Sequence, residues 1–403
     1  MKINVQETKI KVQDIGIAFM LIPFFIPNIV GSMSVLRGIY LICSLWKLAA
    51  MILGMVYIVC TVVNRNMNLH IIWWLIAVYY AEIFVSTLYN RGDVIQALET
   101  MTQVCILCGV VEILHRNGCR REMIKLLYGL YSVYMVLDLV FLVLGIGEAG
   151  SGIFGTKNNH IYWTLPYLLL AVMYEQDKEG KVGRLFRRSL FLVMVITFVT
   201  RSTTSILAVT AVAAFVVWSE KIKIKNRMDG RKILFAAVAG SFLLVTFQLQ
   251  KILNIIVGFF QKTATFGRDI IWRTAWHHIA ESPILGLGYE TRELLAEKIR
   301  YTHMHNKWLD VLYVGGGIGL LVFIAILTVL AVKMSAYRRR QEIRLLSAGL
   351  AGYFILFLTE GSRYEYAFFV MAVMIFNHIK DLEKVEIHDK EIYSEIPADT
   401  VRG

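Results

Sequence analysis

Long uninterrupted apolar runs dominate the chain, separated by short polar and often basic stretches. A helix rising about 1.5 Å per residue needs about 20 mostly apolar residues to cross a bilayer core. That rule predicts about twelve spans, near 15–34, 39–63, 71–89, 94–114, 123–146, 160–175, 188–200, 203–218, 233–250, 308–332, 345–360 and 364–379. The sixth to eighth are short or weakly separated, so ten or eleven spans also fit. None of the runs alternates at period two, which argues against a membrane β-barrel. The first lacks a small-residue cleavage site and reads as a retained span. The expected fold is an all-α polytopic membrane protein, a single membrane domain over 1–403 without internal repeats or linkers.

One long connection, 251–307, breaks this rhythm. Within it DIIWRTAWHHIAE sets Ile271, Trp272, Ala275, Trp276 and Ile279 at i, i+3, i+4 spacing, which predicts an amphipathic helix over 269–281. Two tryptophans suit a membrane interface, where an indole keeps its N–H wet and its body apolar. SPILGLG then breaks the helix through Pro283, Gly286 and Gly288, ETRELLAEKIR restarts one, and THMHNKW leads into the next span. The segment is expected to lie against the outer leaflet as a loop of amphipathic helices, and residues 380–403 to form a short polar tail.

Composition agrees with a membrane environment. Of 403 residues, 57% are hydrophobic and 18% charged, against about a quarter charged in a soluble domain. Mean hydropathy is +0.58. A disordered tail protein, a collagen-like fibre and a disulfide-stapled secreted domain are excluded. The formal charge is 42 − 30 = +12. In a membrane protein this reflects the gathering of Lys and Arg in cytoplasmic loops, so no nucleic-acid partner is expected. Arg116, Arg120 and Arg121, then Lys178 to Arg188, Lys221 to Lys232, and Lys333 to Arg344 occupy alternate connections, which places both termini and the 380–403 tail in the cytoplasm. Segment 251–307 then lies outside, yet it is basic, with Lys251, Lys262, Arg268, Arg273, Arg292, Lys298, Arg300 and Lys307. Among five cysteines, Cys105 and Cys108 have CxxC spacing, but they sit in an apolar helix without a second ligand pair, and packing accounts for them.

The order FGRDIIWRTAWHHIAESPILGLGYE, then HMHNKWLDVLYVGGGIGLL, resembles the signature region of the O-antigen polymerase and ligase family. There a Gly-Arg, a Trp, a P-x-L-G-x-G turn and a His-Asn pair precede a glycine-containing span. The resemblance implies a GT-C-like bacterial cytoplasmic-membrane glycosyltransferase whose active site faces outside. Its donor would be a polyprenyl-pyrophosphate-linked oligosaccharide, with membrane lipid and a chain-length regulator protein as further partners.

His305 is the candidate catalytic base, because an imidazole can take a proton from a sugar hydroxyl near neutral pH; the plainer alternative is a histidine bonded to a loop carbonyl. Asn306 either orients a sugar hydroxyl or fixes the turn, and His303, alternating with His305, is expected to face elsewhere. Arg201, between two apolar runs, and Arg268, after Gly267 at a helix start, match the family's arginines and are candidate pyrophosphate ligands, with Arg292 a third. Arg201 could instead snorkel to headgroups. Arg273 reads as a solvated charge. Arg363, between Glu360 and Glu365, reads as an ion pair or, with Tyr364, as acceptor-binding.

Glu82, Glu99 and Asp138 are intramembrane acids and keep a transporter or lipid-linked-glycan flippase open, although no inverted repeat accompanies them. No metal site is expected. His277, His278, His303 and His305 lack zinc spacing, since adjacent helical histidines diverge by about 100°. GGGIG at 315–319 reads as close helix packing. No nucleotide-binding loop is present and no cofactor is expected. The combined expectation is a metal-independent inverting polymerase of surface-polysaccharide repeat units, with a ligase as the alternative.

Overall fold

The computed structural model describes residues 12–147, 151–221, 230–246, 268–300, 303–361 and 366–395, and no strand occurs among them. In chain order the helices are α1 (Val12–Leu21), α2 (Ile29–Ser32), α3 (Arg37–Asn64), α4 (Ile71–Tyr89), α5 (Val94–Leu114), α6 (Arg120–Val143), α7 (His160–Glu179), α8 (Arg184–Thr200), α9 (Thr203–Lys221) and α10 (Gly230–Thr246). After them come α11 (Arg268–Ile279), α12 (Arg292–Ile299), α13 (Lys307–Ala336), α14 (Gln341–Thr359) and α15 (Tyr366–Glu395). Among the described residues the predicted apolar windows fall mainly on helix. The first is interrupted, because Pro23 starts a 3₁₀ turn, Ile22–Phe25, that separates α1 from α2.

By length and hydropathy, five helical stretches among the described residues suffice to cross a membrane: Ser34–Asn64, Ile71–Tyr89, Val94–Val143, Lys307–Ala336 and Gln341–Thr359. The third joins α5 and α6 through a wide turn, His115–Cys119, where Gly118 takes φ 81°.

The chain divides into two compact units, Met1–Leu69 with Glu99–Thr210, and His70–Leu98 with Ala211–Gly403. In the first, buried acids hold loops to helices. Asp138 accepts the Ile153 amide at 2.9 Å and pairs with His160 Nδ1 at 2.8 Å. Glu175 accepts four amides, from Gly183 (2.7 Å), Arg184 (2.8 Å), Leu185 (2.8 Å) and Phe186 (3.2 Å), which satisfies the otherwise orphan N–H groups at the start of α8. Glu99 pairs with Lys47 at 3.4 Å. Asp138 and Glu99 therefore have partners that account for them without a transport role.

The second unit is organised by α4 against α13. Gly315 and Gly319 form a shallow face on α13 that receives the Glu82 carboxyl group, whose oxygens are buried without a hydrogen-bond partner among the described residues. Between them α13 is broken at Gly316 (φ 56°, ψ −158°). The Pro283–Gly288 loop enters that break: Leu287 N donates to Tyr313 O at 2.8 Å, Gly288 N to Val314 O at 2.9 Å, Gly317 N to Pro283 O at 2.8 Å and Ile318 N to Ile284 O at 3.1 Å. The same loop is tied to the end of α4, through Tyr289 N to Thr87 Oγ1 (2.9 Å) and Asn90 Nδ2 to Gly286 O (3.0 Å). The glycine run thus does more than let helices approach, since it opens the helix to a loop backbone. At the other end of α13, Lys333 and Lys380 share Glu383 at 2.6 and 2.7 Å, so residues after 380 continue α15 as far as Glu395.

A Cβ at Gly316 or Gly288 would collide with backbone, of Ile284 and Gly286 in one case and of Thr87 in the other, at positive φ in both. Gly316→Ala and Gly288→Ala should each cost on the order of 3 kcal/mol and lower both the membrane-fraction yield and the thermal midpoint of the purified protein. Gly317→Ala is the control, because its Cβ would meet only Pro283 O at an ordinary 3.4 Å; equal loss in all three would refute the account of the break.

Candidate functional site

The approach to α13 is built on a small apolar core of the second unit. Ile271, Trp272, Ala275 and Ile279 of α11 pack with Leu287, Leu295 and Ile299, and with Met304, Leu309 and Tyr313. The predicted amphipathic face is therefore real, but it turns onto protein. Trp272, expected at the membrane interface, is buried, with its Nε1 donating to Met304 O at 3.0 Å, whereas Trp276 remains exposed. Thr291 caps α12 by accepting from Leu294 N, and Tyr313 Oη donates to the buried Glu290 at 2.8 Å.

His305 follows directly. Its neighbours are fixed on both sides: Met304 through its side chain and its carbonyl, and Asn306 as the N-cap of α13. Asn306 is fully buried; its Oδ1 accepts from Leu309 N at 3.0 Å and its Nδ2 donates to Leu358 O at 3.2 Å. That dual bonding favours the turn-fixing role over sugar contact. Between these anchors His305 takes a left-handed backbone, φ 49°, which costs an L residue roughly 1–2 kcal/mol. Strain of this kind persists only where surrounding contacts impose it.

The contact that uses it comes from α14. Glu360, at the helix end and nearly inaccessible, lies with Oε2 3.0 Å from His305 Nδ1 and 3.6 Å from His303 Nε2. The two imidazoles stand 3.8 Å apart between ring centroids. The expectation that His303 faces away is overturned: alternation holds for extended chain, and the left-handed residue at 305 turns both rings to one side. Gly361 lets the end of α14 sit close, since a Cβ there would meet Asn306 O at 3.2 Å and Asp310 Cβ at 3.3 Å. Lys307, also buried, pairs with Asp310 at 3.1 Å. His303, His305 and Glu360 each direct one ligand-capable atom into a cluster in which all three lie within 4.8 Å of one another. Glu360, 55 positions from His305, carries no local mark in the sequence that would join it to the two histidines.

The arginines are less gathered. Arg292 is the exposed first residue of α12. Arg268 opens α11, with its side chain outside the described residues. Arg201 belongs to the other unit, where it is exposed and ends α8 in left-handed backbone, φ 50°. The adjacent Ser202 donates to Asn158 at 3.0 Å. Arg273 and Arg300 are exposed. Arg363 and Tyr364 lie outside the described residues.

Residues 189–324 match the family model described as O-antigen ligase. The resemblance to the O-antigen polymerase and ligase family is thereby shown. The matched stretch contains Arg201, Arg268, Arg292, His305, Asn306 and the Gly316 break, and it ends before Glu360. No curated protein matches the chain. The O-antigen ligase match supports a role in surface-polysaccharide biosynthesis, and the matched family is glycosyltransferase-like.

Asn306→Ala removes two buried hydrogen bonds, one of them the helix cap, and should destabilise the protein by about 2 kcal/mol. Asn306→Asp, which keeps the cap but cannot donate to Leu358, should recover part of that loss in thermal unfolding of the purified protein. An Ala variant as stable as wild type would show that the cap does not hold the turn.

Proposed function

We propose that this protein is a polymerase of surface-polysaccharide repeat units that works without a metal and inverts the anomeric configuration. The observation that carries the reading is the His305–Glu360 pair, held in strained backbone between two anchored residues. Donation of Nδ1–H to Glu360 leaves the lone pair on Nε2 and makes that nitrogen the proton acceptor, while the carboxylate stabilises the cation formed. Nε2 takes the proton of an acceptor hydroxyl on one lipid-linked unit. The oxygen attacks the anomeric carbon of a second unit, and the bond to pyrophosphate breaks with its electron pair on the leaving group. Arg268 and Arg292 stabilise that growing negative charge, and Arg201 carries the same assignment on the family pattern.

In this reading the chain crosses a bacterial cytoplasmic membrane about twelve times, GT-C-like, with both termini inside and the 251–307 segment outside. A chain-length regulator is a compatible partner, and Arg363 with Tyr364 are the proposed acceptor contacts. One observation favours a second reading: the matching family model is described as O-antigen ligase, and the same base and donor chemistry would serve transfer to a different acceptor. A flippase has less support, because two of its three candidate acids, Asp138 and Glu99, have structural partners, while Glu82 is seated on Gly315 and Gly319.

Purified protein given a defined lipid-linked repeat should yield a ladder of polymers. Single transfer to another acceptor would establish the ligase, and lipid movement across vesicles without new bonds would overturn both. His305→Ala should lower kcat by about 10³-fold with donor binding little changed, and Glu360→Gln should fall between it and wild type. Arg201→Ala and Arg268→Ala should weaken donor binding and turnover together, with Lys rescuing only in part. A cysteine placed at Lys298 should react with an impermeant external reagent and one at Arg338 should not; the reverse pattern would sink the lipid-donor model.

A further inference from the structure

We infer that His303, His305 and Glu360 form a binding site for a transition-metal dication of the zinc class, and that its occupancy switches the transferase off. The inference rests on the reading of His305 as the base.

Two imidazoles and a carboxylate are a donor set suited to zinc, which binds nitrogen and oxygen at about 2.0–2.1 Å in tetrahedral sites. Such bonds set neighbouring ligand atoms about 3.3 Å apart. Here the Glu360 oxygen lies 3.0 Å from His305 Nδ1 and 3.6 Å from His303 Nε2, on either side of that spacing. All three ligand atoms fall within 4.8 Å, so closing on an ion needs only side-chain adjustment. Glu360 is buried while both histidines are partly open, which gives a low-dielectric wall behind the ion and a path in front of it. Three protein ligands leave the fourth position to water.

The consequence for catalysis follows from one nitrogen. A metal on His305 Nδ1 displaces the proton that Glu360 would hold there, and the ring then keeps its hydrogen on Nε2. Nε2–H can donate but cannot accept, so the acceptor hydroxyl loses its base. Glu360 is drawn onto the same ion. His303 makes the difference between a catalytic pair and a metal site, because it adds the third ligand without being needed for proton transfer.

The test uses the full-length protein in detergent, with Co²⁺ as a visible probe and Zn²⁺ as competitor. One equivalent of Co²⁺ should produce d–d absorption of a low-coordinate site, removed by Zn²⁺ and weakened at least tenfold in affinity by His303→Ala and by Glu360→Gln. His303→Cys should keep the site and add a thiolate-to-metal charge-transfer band absent from wild type, a gain that misfolding cannot imitate. Saturating Zn²⁺ should slow glycan transfer at least tenfold in wild type, reversibly on chelation, whereas zinc should leave His303→Ala at its own zinc-free rate. Absence of a Co²⁺ spectrum in wild type, or an unchanged spectrum in both His303→Ala and Glu360→Gln, overturns the inference even if polymer is made. Co²⁺ bound at these residues in a protein that transfers no glycan would support the site and overturn the catalytic reading instead.

Discussion

An unwound turn inside an apolar helix must find partners for its peptide groups, because lipid cannot supply them. At Gly316 the Pro283–Gly288 loop supplies them over four backbone bonds. Each made bond contributes about 1 kcal/mol net, but a buried donor left unmade costs about 1–3, so the loop cannot slip by a residue without opening the helix. Its register sets where α11 ends and α12 begins. The apolar core that those helices share with Met304 and Tyr313 then fixes the residue between Met304 and Asn306. The geometry at His305 is thus determined some ten residues away, by an interruption in α13.

Much of this was legible in the chain. Apolar runs identified the helices, because length and hydropathy are local properties. The face Ile271, Trp272, Ala275, Ile279 emerged from spacing alone. What spacing could not say was which solvent that face would meet: an amphipathic helix looks the same to a lipid surface and to a protein core. Trp272 illustrates the ambiguity, since its N–H is satisfied by a carbonyl rather than by water.

The site was legible only in part, for a different reason. His305 and Asn306 stood out as neighbours in a motif, but Glu360 lies 55 positions on, in the turn after α14, and only folding joins them. A carboxylate at the end of an apolar span, beside a glycine that permits close approach, is the available signal, and the sequence offers it only Arg363 nearby, which lies outside the described residues. His303 was misplaced because period-two reasoning assumes extended backbone, and nothing local marks a histidine for φ above zero. The glycine run was correctly tied to close approach. That one of its members, Gly316, would leave the helix depends on the loop that enters there.

The seat of Glu82 on Gly315 and Gly319 carries an implication for descent. A Cβ at either glycine would fall 2.6 or 2.8 Å from the carboxyl oxygen, so neither can enlarge while the acid stays, and the acid cannot shorten without leaving a void in a close-packed interface. The three positions are bound to one evolutionary fate. Among related chains, a bulkier residue on that stretch of α13 should arrive with a smaller one on α4, and the pair of changes should be seen far more often than either change by itself.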